Sequence, residues 1–280
     1  MNIKFYGVRG SIPTPGPSFV KYGGNTACVH VELSDGTDII LDAGTGIRLL
    51  GKKLISKSTP IHLLLSHNHW DHIQGFPFFA PAYQPERSIH ITPGLTKEYR
   101  PQAILEQMMG SFFPVPKEAL ASNIVFDEYA DTVNKWSVGT ANISRMRMNH
   151  PGGGSCYCIE DNGKKLAYIT DNELYPPYQK DGDFQKFVAF AKGADLLIHD
   201  AQYLVEDMPA KHGWGHSVAE EAVKLAMAAQ TKILALYSHD PERTDDEVES
   251  ITAHADEILK IGGAEDAVCI AAYEGLKIIL

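Results

Sequence analysis

Four side chains that can bind a metal ion lie within six residues of one another, in the stretch Ser66–Gly75. They are His67, His69, Asp71 and His72. Imidazole nitrogens and carboxylate oxygens are ligands that suit zinc, and manganese or iron less well. A histidine-rich polar loop would also give this composition, but four such residues at this spacing favour a metal site.

The residues before this cluster determine how it is presented. The run Ile61–Leu65 is mostly apolar, and its content predicts a buried strand that ends where the cluster begins. Side chains two residues apart at a strand end share a face, so His67 and His69 can bind one ion. Asp71 and His72 follow the turn, and we expect them to point toward a second position beside the first.

Length and composition limit the classes of protein to consider. The chain has 280 residues, 44% hydrophobic and 21% charged, and we expect residues 1–280 to form a single domain. No apolar run approaches the roughly 20 residues that cross a bilayer. The N-terminus lacks the pattern of a secretory signal. The expected location is therefore the cytoplasm, with no membrane partner.

The formal net charge of −10 bears on the substrate. Proteins that follow a long phosphate backbone normally present a basic face, whereas the lysines and arginines of this chain are dispersed. A long nucleic acid is therefore not the expected partner. A small anionic substrate is compatible with this charge, because bound metal ions supply their own positive charge.

The cluster at 67–72 resembles the His-x-His-x-Asp-His signature of the metallo-β-lactamase superfamily of metal-dependent hydrolases. This resemblance implies an α/β fold, the four-layer αββα sandwich, with two divalent metal ions. Zn²⁺ is the first choice and Mn²⁺ the alternative. It also implies three later ligands at strand ends, namely a histidine, an aspartate that bridges the metals, and a late histidine. The candidates in that order are His150, Asp171 and His239.

Each later candidate follows a predicted strand. These strands cover residues 141–148, 164–169 and 232–237. Asp171 is the most informative, because an unpaired carboxylate after an apolar run is costly unless a cation receives it; a helix cap is the alternative. The resemblance assigns His67, His69 and His150 to the first metal, and Asp71, His72 and His239 to the second, with Asp171 bridging them. Asp42 matches an Asp-x-Gly element that supports the ligand loop in this family, although a helix cap is also compatible.

Two further segments resemble the ribonuclease Z branch of the superfamily. There, an acidic residue after a Leu-Ile-His strand orients the histidine of a His-Ser helix start. Carried over to this chain, Asp200 orients His216, and His216 addresses the phosphate. A structural histidine in the core is the alternative interpretation of His216.

The resemblance implies a dinuclear metal-dependent phosphodiesterase that hydrolyses a small phosphodiester, preferably a cyclic nucleotide, through a hydroxide that bridges the metals. The predicted catalytic residues are Asp71, His216 and Asp200. Alternatives are a ribonuclease Z-like tRNA 3′ endonuclease, a metallo-hydrolase of another bond, and a metal-binding protein without turnover.

Three loop and helix predictions concern the surroundings of the site. Arg9 and Ser11 lie in a Gly/Pro-rich loop, where they could reach an anion or be solvated. Residues 95–109 have helical spacing, and the apolar loop Ser111–Pro116 could be a lid or the interface of a homodimer. Tyr203 or Trp214 could stack on a nucleobase.

Overall fold

Two seven-stranded sheets form the centre of the protein in a computed structural model that describes residues 1–127, 133–178 and 180–280. The strands are β1 (Asn2–Gly7), β2 (Cys28–Glu32), β3 (Asp38–Leu41), β4 (Ile61–Leu64), β5 (Ser88–Thr92), β6 (Asn123–Phe126), β7 (Lys135–Val138), β8 (Ala141–Arg147), β9 (Ser155–Asp161), β10 (Lys164–Ile169), β11 (Leu196–Asp200), β12 (Ile233–Tyr237), β13 (Val268–Ala271) and β14 (Lys277–Ile279). The helices are α1 (Ile47–Leu54), α2 (Trp70–Ile73), α3 (Ala103–Glu106), α4 (Phe184–Ala191), α5 (Met208–Lys211), α6 (Ala219–Ala229) and α7 (Asp245–Ile261).

The first sheet has the strand order β14-β1-β2-β3-β4-β5-β6, and the second has the order β13-β12-β11-β10-β9-β8-β7. Strands β3 to β6 are parallel in the first sheet, as are β10 to β13 in the second. The carboxyl ends of parallel strands meet at one edge of a sheet, and binding sites are often built at such edges. The topology therefore brings several loops that follow strands to the same place.

Alternation along the strands produces the layers. In β11, Leu196 and Ile198 belong to the apolar cluster between the sheets, whereas Leu197 faces the cluster that includes α4, α6 and α7. In β3, Ile40 faces the cluster that includes α1. Successive side chains of a strand point to opposite faces, so both sheets are covered on both sides. The predicted four-layer αββα sandwich is confirmed.

The prediction of a helix over residues 95–109 is wrong, since only α3 forms there. The segment before α3 is held by the loop that follows His150. The Lys97 amide donates to the Gly152 carbonyl at 2.7 Å, and Thr96 forms a bridge with Gly153. Pro101 also has no amide with which to continue a helix from residue 97.

The apolar loop at 111–116 lies outside the core. Phe112 is 74% exposed, while the ring of Phe113 packs edge-on against Phe78 at 5.3 Å between centroids. Its role as a lid or a homodimer interface stays a prediction. Among the described residues there is no helix with the length and apolar content needed to cross a membrane.

Arg9 is neither solvated nor directed at an anion site, contrary to both expectations for it, because its side chain is fully buried. Its Nε donates to the carbonyl of Gly23 at 2.9 Å, and its Nη1 donates to the carbonyls of Asp240 and Arg243 at 3.1 and 2.7 Å. Arg9 therefore ties the N-terminal loop to the segment after β12. Ser11 is exposed, and its amide donates to Asp71 Oδ2 at 2.7 Å.

Arg9→Ala should lower the free energy of unfolding by about 3 kcal/mol, because three partly buried carbonyls lose a charged donor. Chemical denaturation of the purified variant measures this change. Arg48 is exposed on α1, and Arg48→Ala should change stability by less than about 0.5 kcal/mol. Equal effects of the two substitutions would contradict the structural role of Arg9.

Candidate metal centre

The histidine-rich loop begins where β4 ends and is fixed by Asp42 at the end of β3. The Asp42 carboxylate accepts from the amide of Ser66 at 2.7 Å, from the Ser66 hydroxyl at 2.8 Å and from His72 Nδ1 at 2.9 Å. It also accepts from the Tyr168 hydroxyl, in β10 of the other sheet, at 2.8 Å. Asp42 is thus a support of the ligand loop and not a helix cap.

A first group of possible ligands is formed by His67, His69 and His150, whose ring nitrogens lie within 4.8 Å of one another. His150 Nδ1 lies 2.9 Å from the carbonyl of Gly215, which only accepts hydrogen bonds, so Nδ1 carries the proton. His150 Nε2 is therefore the nitrogen with a lone pair, and it lies 3.0 Å from His69 Nδ1. His67 Nε2 is buried without a hydrogen-bond partner among the described residues.

Loss of hydration keeps these three imidazoles neutral, although the side chain of His69 is partly exposed. It lowers the pKa of His150 to about 3, and it lowers the pKa values of His67 and His69 below the ordinary value. A neutral imidazole has the free lone pair that a metal ligand needs. The group can therefore accept a cation at neutral pH without first losing protons.

A second group is formed by His67, His72 and Asp171. Asp171 Oδ2 lies 3.1 Å from His72 Nε2 and 3.8 Å from His67 Nε2, so one carboxylate oxygen faces both groups. Asp71 Oδ2 lies 3.3 Å from the same His72 nitrogen. Burial opposes protonation of His72, but the carboxylates of Asp171, Asp71 and Asp42 raise its pKa well above the ordinary value. Several buried carboxylates around one imidazole indicate that this position favours positive charge.

Asp71 contacts His72 but belongs to none of these groups, as far as the described residues show. His239 also lies in none of them. It follows β12, and its Nε2 donates to the carbonyl of Ala272 at 2.8 Å. Only Nδ1 is then left with a lone pair. Its neighbour Ser238 does reach the cluster, since the Ser238 hydroxyl donates to Asp171 Oδ1 at 3.3 Å.

Asp200 and His216 form a buried pair beside the two groups. His216 Nδ1 lies 2.7 Å from Asp200 Oδ2, while the ligand atoms of His216, His150 and Asp171 lie within 4.8 Å of one another. Burial raises the pKa of Asp200 to about 6. Burial has the opposite effect on His216, but the Asp200 carboxylate outweighs it and raises the pKa of His216 to about 9. Between these values the pair is ionic, so His216 holds a proton at neutral pH.

The sequence did not reveal the groove that adjoins the candidate metal centre. A groove of about 420 Å³ is lined at one end by His67 and His69 and elsewhere by Lys97, Arg100 and the loop 151–153. This volume falls within the usual range for small-molecule sites. The available signal in the sequence was the basic pair Lys97 and Arg100, spaced three apart. The predicted helix at 95–109 gave this pair the wrong position.

The residues fit a divalent metal ion. The donors are imidazoles and carboxylates, which are the ligands of zinc and related ions. The unpartnered, buried Nε2 of His67 faces Asp171, and such an orphaned nitrogen is costly unless something receives its lone pair.

The four layers and the histidine–aspartate cluster define the class of metal-dependent hydrolases with the metallo-β-lactamase fold. The sequence profile of the beta-lactamase superfamily domain matches residues 37–239, and the chain belongs to this superfamily. Within it the chain is similar to ribonuclease Z of Haloarcula marismortui, with 25% identity over 314 aligned positions that cover 99% of this chain and 96% of that protein.

Solved structures agree on the fold. The metallo-beta-lactamase fold protein YhfI from Bacillus subtilis superposes with a TM-score of 0.70 at 18% identity, covering 99% of both chains. A diphosphatase from the PhnP family has a TM-score of 0.68 at 16% identity, covering 100% of this chain and 97% of that one. The predicted membership of the metallo-β-lactamase superfamily, ribonuclease Z-like, is confirmed, and the chain is a metal-dependent hydrolase.

Asp200→Asn should lower the pKa of His216 from about 9, because the largest opposition to burial is removed and only the carboxylates of Asp171 and Asp71 still raise this pKa. The pKa is measured by NMR titration of the His216 ring in metal-free protein. Asp127→Asn removes a carboxylate that contacts His90 instead, and it should leave the titration of His216 unchanged. A His216 pKa that stays near 9 in Asp200→Asn would show that Asp200 is not the cause.

Proposed function

We propose that the protein is a metal-dependent phosphodiesterase whose substrate is a small phosphodiester, with a cyclic nucleotide as the preferred class. The buried pair of Asp200 and His216 next to the histidine–aspartate cluster carries this proposal. A cluster that only held structural ions would have no use for a protonated imidazole directed at it.

In this proposal His67, His69 and His150 hold one metal ion, while Asp71, His72 and His239 hold a second, with Asp171 shared between them. His239 would contribute Nδ1, the nitrogen left with a lone pair. Zn²⁺ is the preferred ion and Mn²⁺ the alternative. Divalent ions bound at such a site lower the pKa of water toward neutrality and neutralise charge on phosphoryl oxygens.

Residues of the protein itself supply proton transfer and orientation in this proposal. His216 is protonated at neutral pH, and its Nε2 is directed at the cluster, so it can donate a proton to the leaving oxygen or stabilise developing negative charge. Asp200 accepts from Nδ1 and thereby fixes the direction of the ring. Ser11 orients Asp71 through its amide.

Size and charge favour a small substrate. The groove beside the cluster has a volume of about 420 Å³. Its wall contains Lys97, which can attract an anionic group, together with Glu98 and with Arg100, which pairs with Glu106. The formal net charge of −10 disfavours a long polyanion. Trp214, two residues before His216 in the sequence, is 56% exposed, and Lys211 Nζ lies 4.0 Å from its ring centroid, so a base would have to stack on the other face. Tyr203 is 2% exposed and packs against the His216 ring.

The second candidate is a ribonuclease Z-like tRNA 3′ endonuclease. The observation that favours it is the similarity to ribonuclease Z of Haloarcula marismortui along 99% of this chain. Both candidates cleave a phosphodiester, so the substrate distinguishes them.

The test is a panel of cyclic mononucleotides, cyclic dinucleotides and a tRNA precursor, incubated with protein loaded with Zn²⁺ or Mn²⁺. We expect metal-dependent hydrolysis of at least one cyclic nucleotide and no 3′ processing of the precursor. Clean 3′ processing with no cleavage of the cyclic nucleotides would replace the first candidate by the second.

Asp171→Ala and His216→Ala should have different effects. The first should deplete bound metal, because it removes the carboxylate that faces both groups. The second should retain metal and lower kcat by about 10²–10⁴-fold. Elemental analysis and the hydrolysis assay measure the two quantities.

His254→Ala is the matched control, since His254 is an exposed histidine on α7, and it should alter neither quantity. Full metal occupancy in Asp171→Ala would remove Asp171 from the shared position. Loss of metal in His216→Ala would refute the role given to His216.

A further inference from the structure

Glu173 is a buried carboxylate two residues beyond Asp171, and its bonds go to a glycine-rich loop. Its Oε1 accepts from the amide of Gly213 at 2.9 Å. Its Oε2 accepts from the amides of Gly213 and Gly215 at 3.1 and 3.0 Å. The side chain is fully buried, so these loop amides depend on it and not on water.

The carboxylate is itself held in a fixed place. The Glu173 amide donates to the carbonyl of Asn149 at 2.9 Å, and the Asn149 side chain donates back to the carbonyl of Glu173 at 3.1 Å. The amide of Asn172 donates to Asp200 Oδ2 at 3.1 Å. Both neighbours of Glu173 in this network adjoin site residues, so the carboxylate is rigid with respect to the site.

The loop that Glu173 holds contacts His150 directly. The carbonyl of Gly215 accepts from His150 Nδ1 at 2.9 Å. Gly213 and Gly215 have φ values of 90° and 92°, a region that favours glycine, and a Cβ at position 215 would lie 2.2 Å from His150 Nδ1. The loop can therefore approach His150 this closely only with glycine at position 215.

We propose that Glu173 is a positioning residue for His150. By holding the amides of Gly213 and Gly215, it places the Gly215 carbonyl where it must receive the proton of His150 Nδ1. That choice of tautomer leaves Nε2 unprotonated and directed at His69 and Asp171. A hydrogen-bond partner that fixes the tautomer of a ligating histidine tunes the metal site without touching the metal.

The inference takes from the proposed function only that His150 is a metal ligand. Glu173 touches neither His150 nor the proposed substrate groove, so it acts through the loop. A merely structural role would lower stability without changing which nitrogen of His150 is protonated. The tautomer is therefore the deciding readout, and it can be measured without metal or substrate.

The experiment compares Glu173→Gln with the parent protein. The substituted amide must direct an NH₂ group at a loop amide, so at least one of the loop bonds is lost. Two-bond ¹H–¹⁵N NMR of metal-free protein reports the His150 tautomer. Titration of the same metal-free protein with Zn²⁺ against a competing chelator reports metal affinity.

Asp161→Asn is the matched control. Asp161 is equally buried and also accepts three bonds, from the amide and hydroxyl of Ser34 and the hydroxyl of Thr140, but it lies away from the site. We expect a mixture of His150 tautomers and about 10–100-fold weaker zinc binding in Glu173→Gln. Asp161→Asn should change neither.

A His150 ring that stays fully protonated at Nδ1 in folded Glu173→Gln would overturn the proposal, whatever the metal affinity. Lack of phosphodiesterase activity would leave this result unaffected, so the two proposals fail separately. If Glu173→Gln does not fold, hydrogen exchange of the parent protein decides. The amides of Gly213 and Gly215 should exchange at least about tenfold more slowly than that of the exposed Gly110, and equal rates would overturn the proposal.

Discussion

One buried carboxylate joins the two sheets at the place where the site forms. Asp42 follows β3 in the first sheet, accepts hydrogen bonds from Ser66 and His72 of the ligand loop, and accepts from Tyr168 in β10 of the second sheet. A carboxylate that is removed from water needs such partners, because leaving it unsatisfied is costly. The bonds of Asp42 therefore fix the histidine-rich loop and the alignment of the sheets together.

The strand ends around this carboxylate have unusual backbones. Asp42, Asp171 and Ser238 each follow a strand and have φ values of 62°, 46° and 57°. Residues other than glycine adopt this region only at a cost, although aspartate tolerates it better than most. The turns direct the Asp42 and Asp171 carboxylates into the cluster and the Ser238 hydroxyl onto Asp171. The strain is thus concentrated where the side chains must converge.

Local sequence patterns predicted the structural features that depend only on residues close together in the chain. The cluster at 67–72 and the strand before it, predicted over Ile61–Leu65 and observed as β4, follow from spacing and composition. The strands β7, β13 and β14 were not predicted, because short strands at sheet edges need partners that the local pattern does not show. The burial of Arg9 and the amide partners of Glu173 depend on contacts between distant segments, so no local signal announces them. The same holds for the bond that turns His239 Nε2 toward Ala272.

The possible ligands come from both halves of the chain. His67, His69, Asp71 and His72 follow a strand of one sheet, whereas His150 and Asp171 follow strands of the other. A cation bound by residues of both halves links the two sheets, and its binding free energy adds to the stability of the whole protein. At a free concentration 100 times its dissociation constant, a single such ion contributes about 2.7 kcal/mol. Removal of the metal would consequently lower the stability of the folded chain as well as abolish its activity.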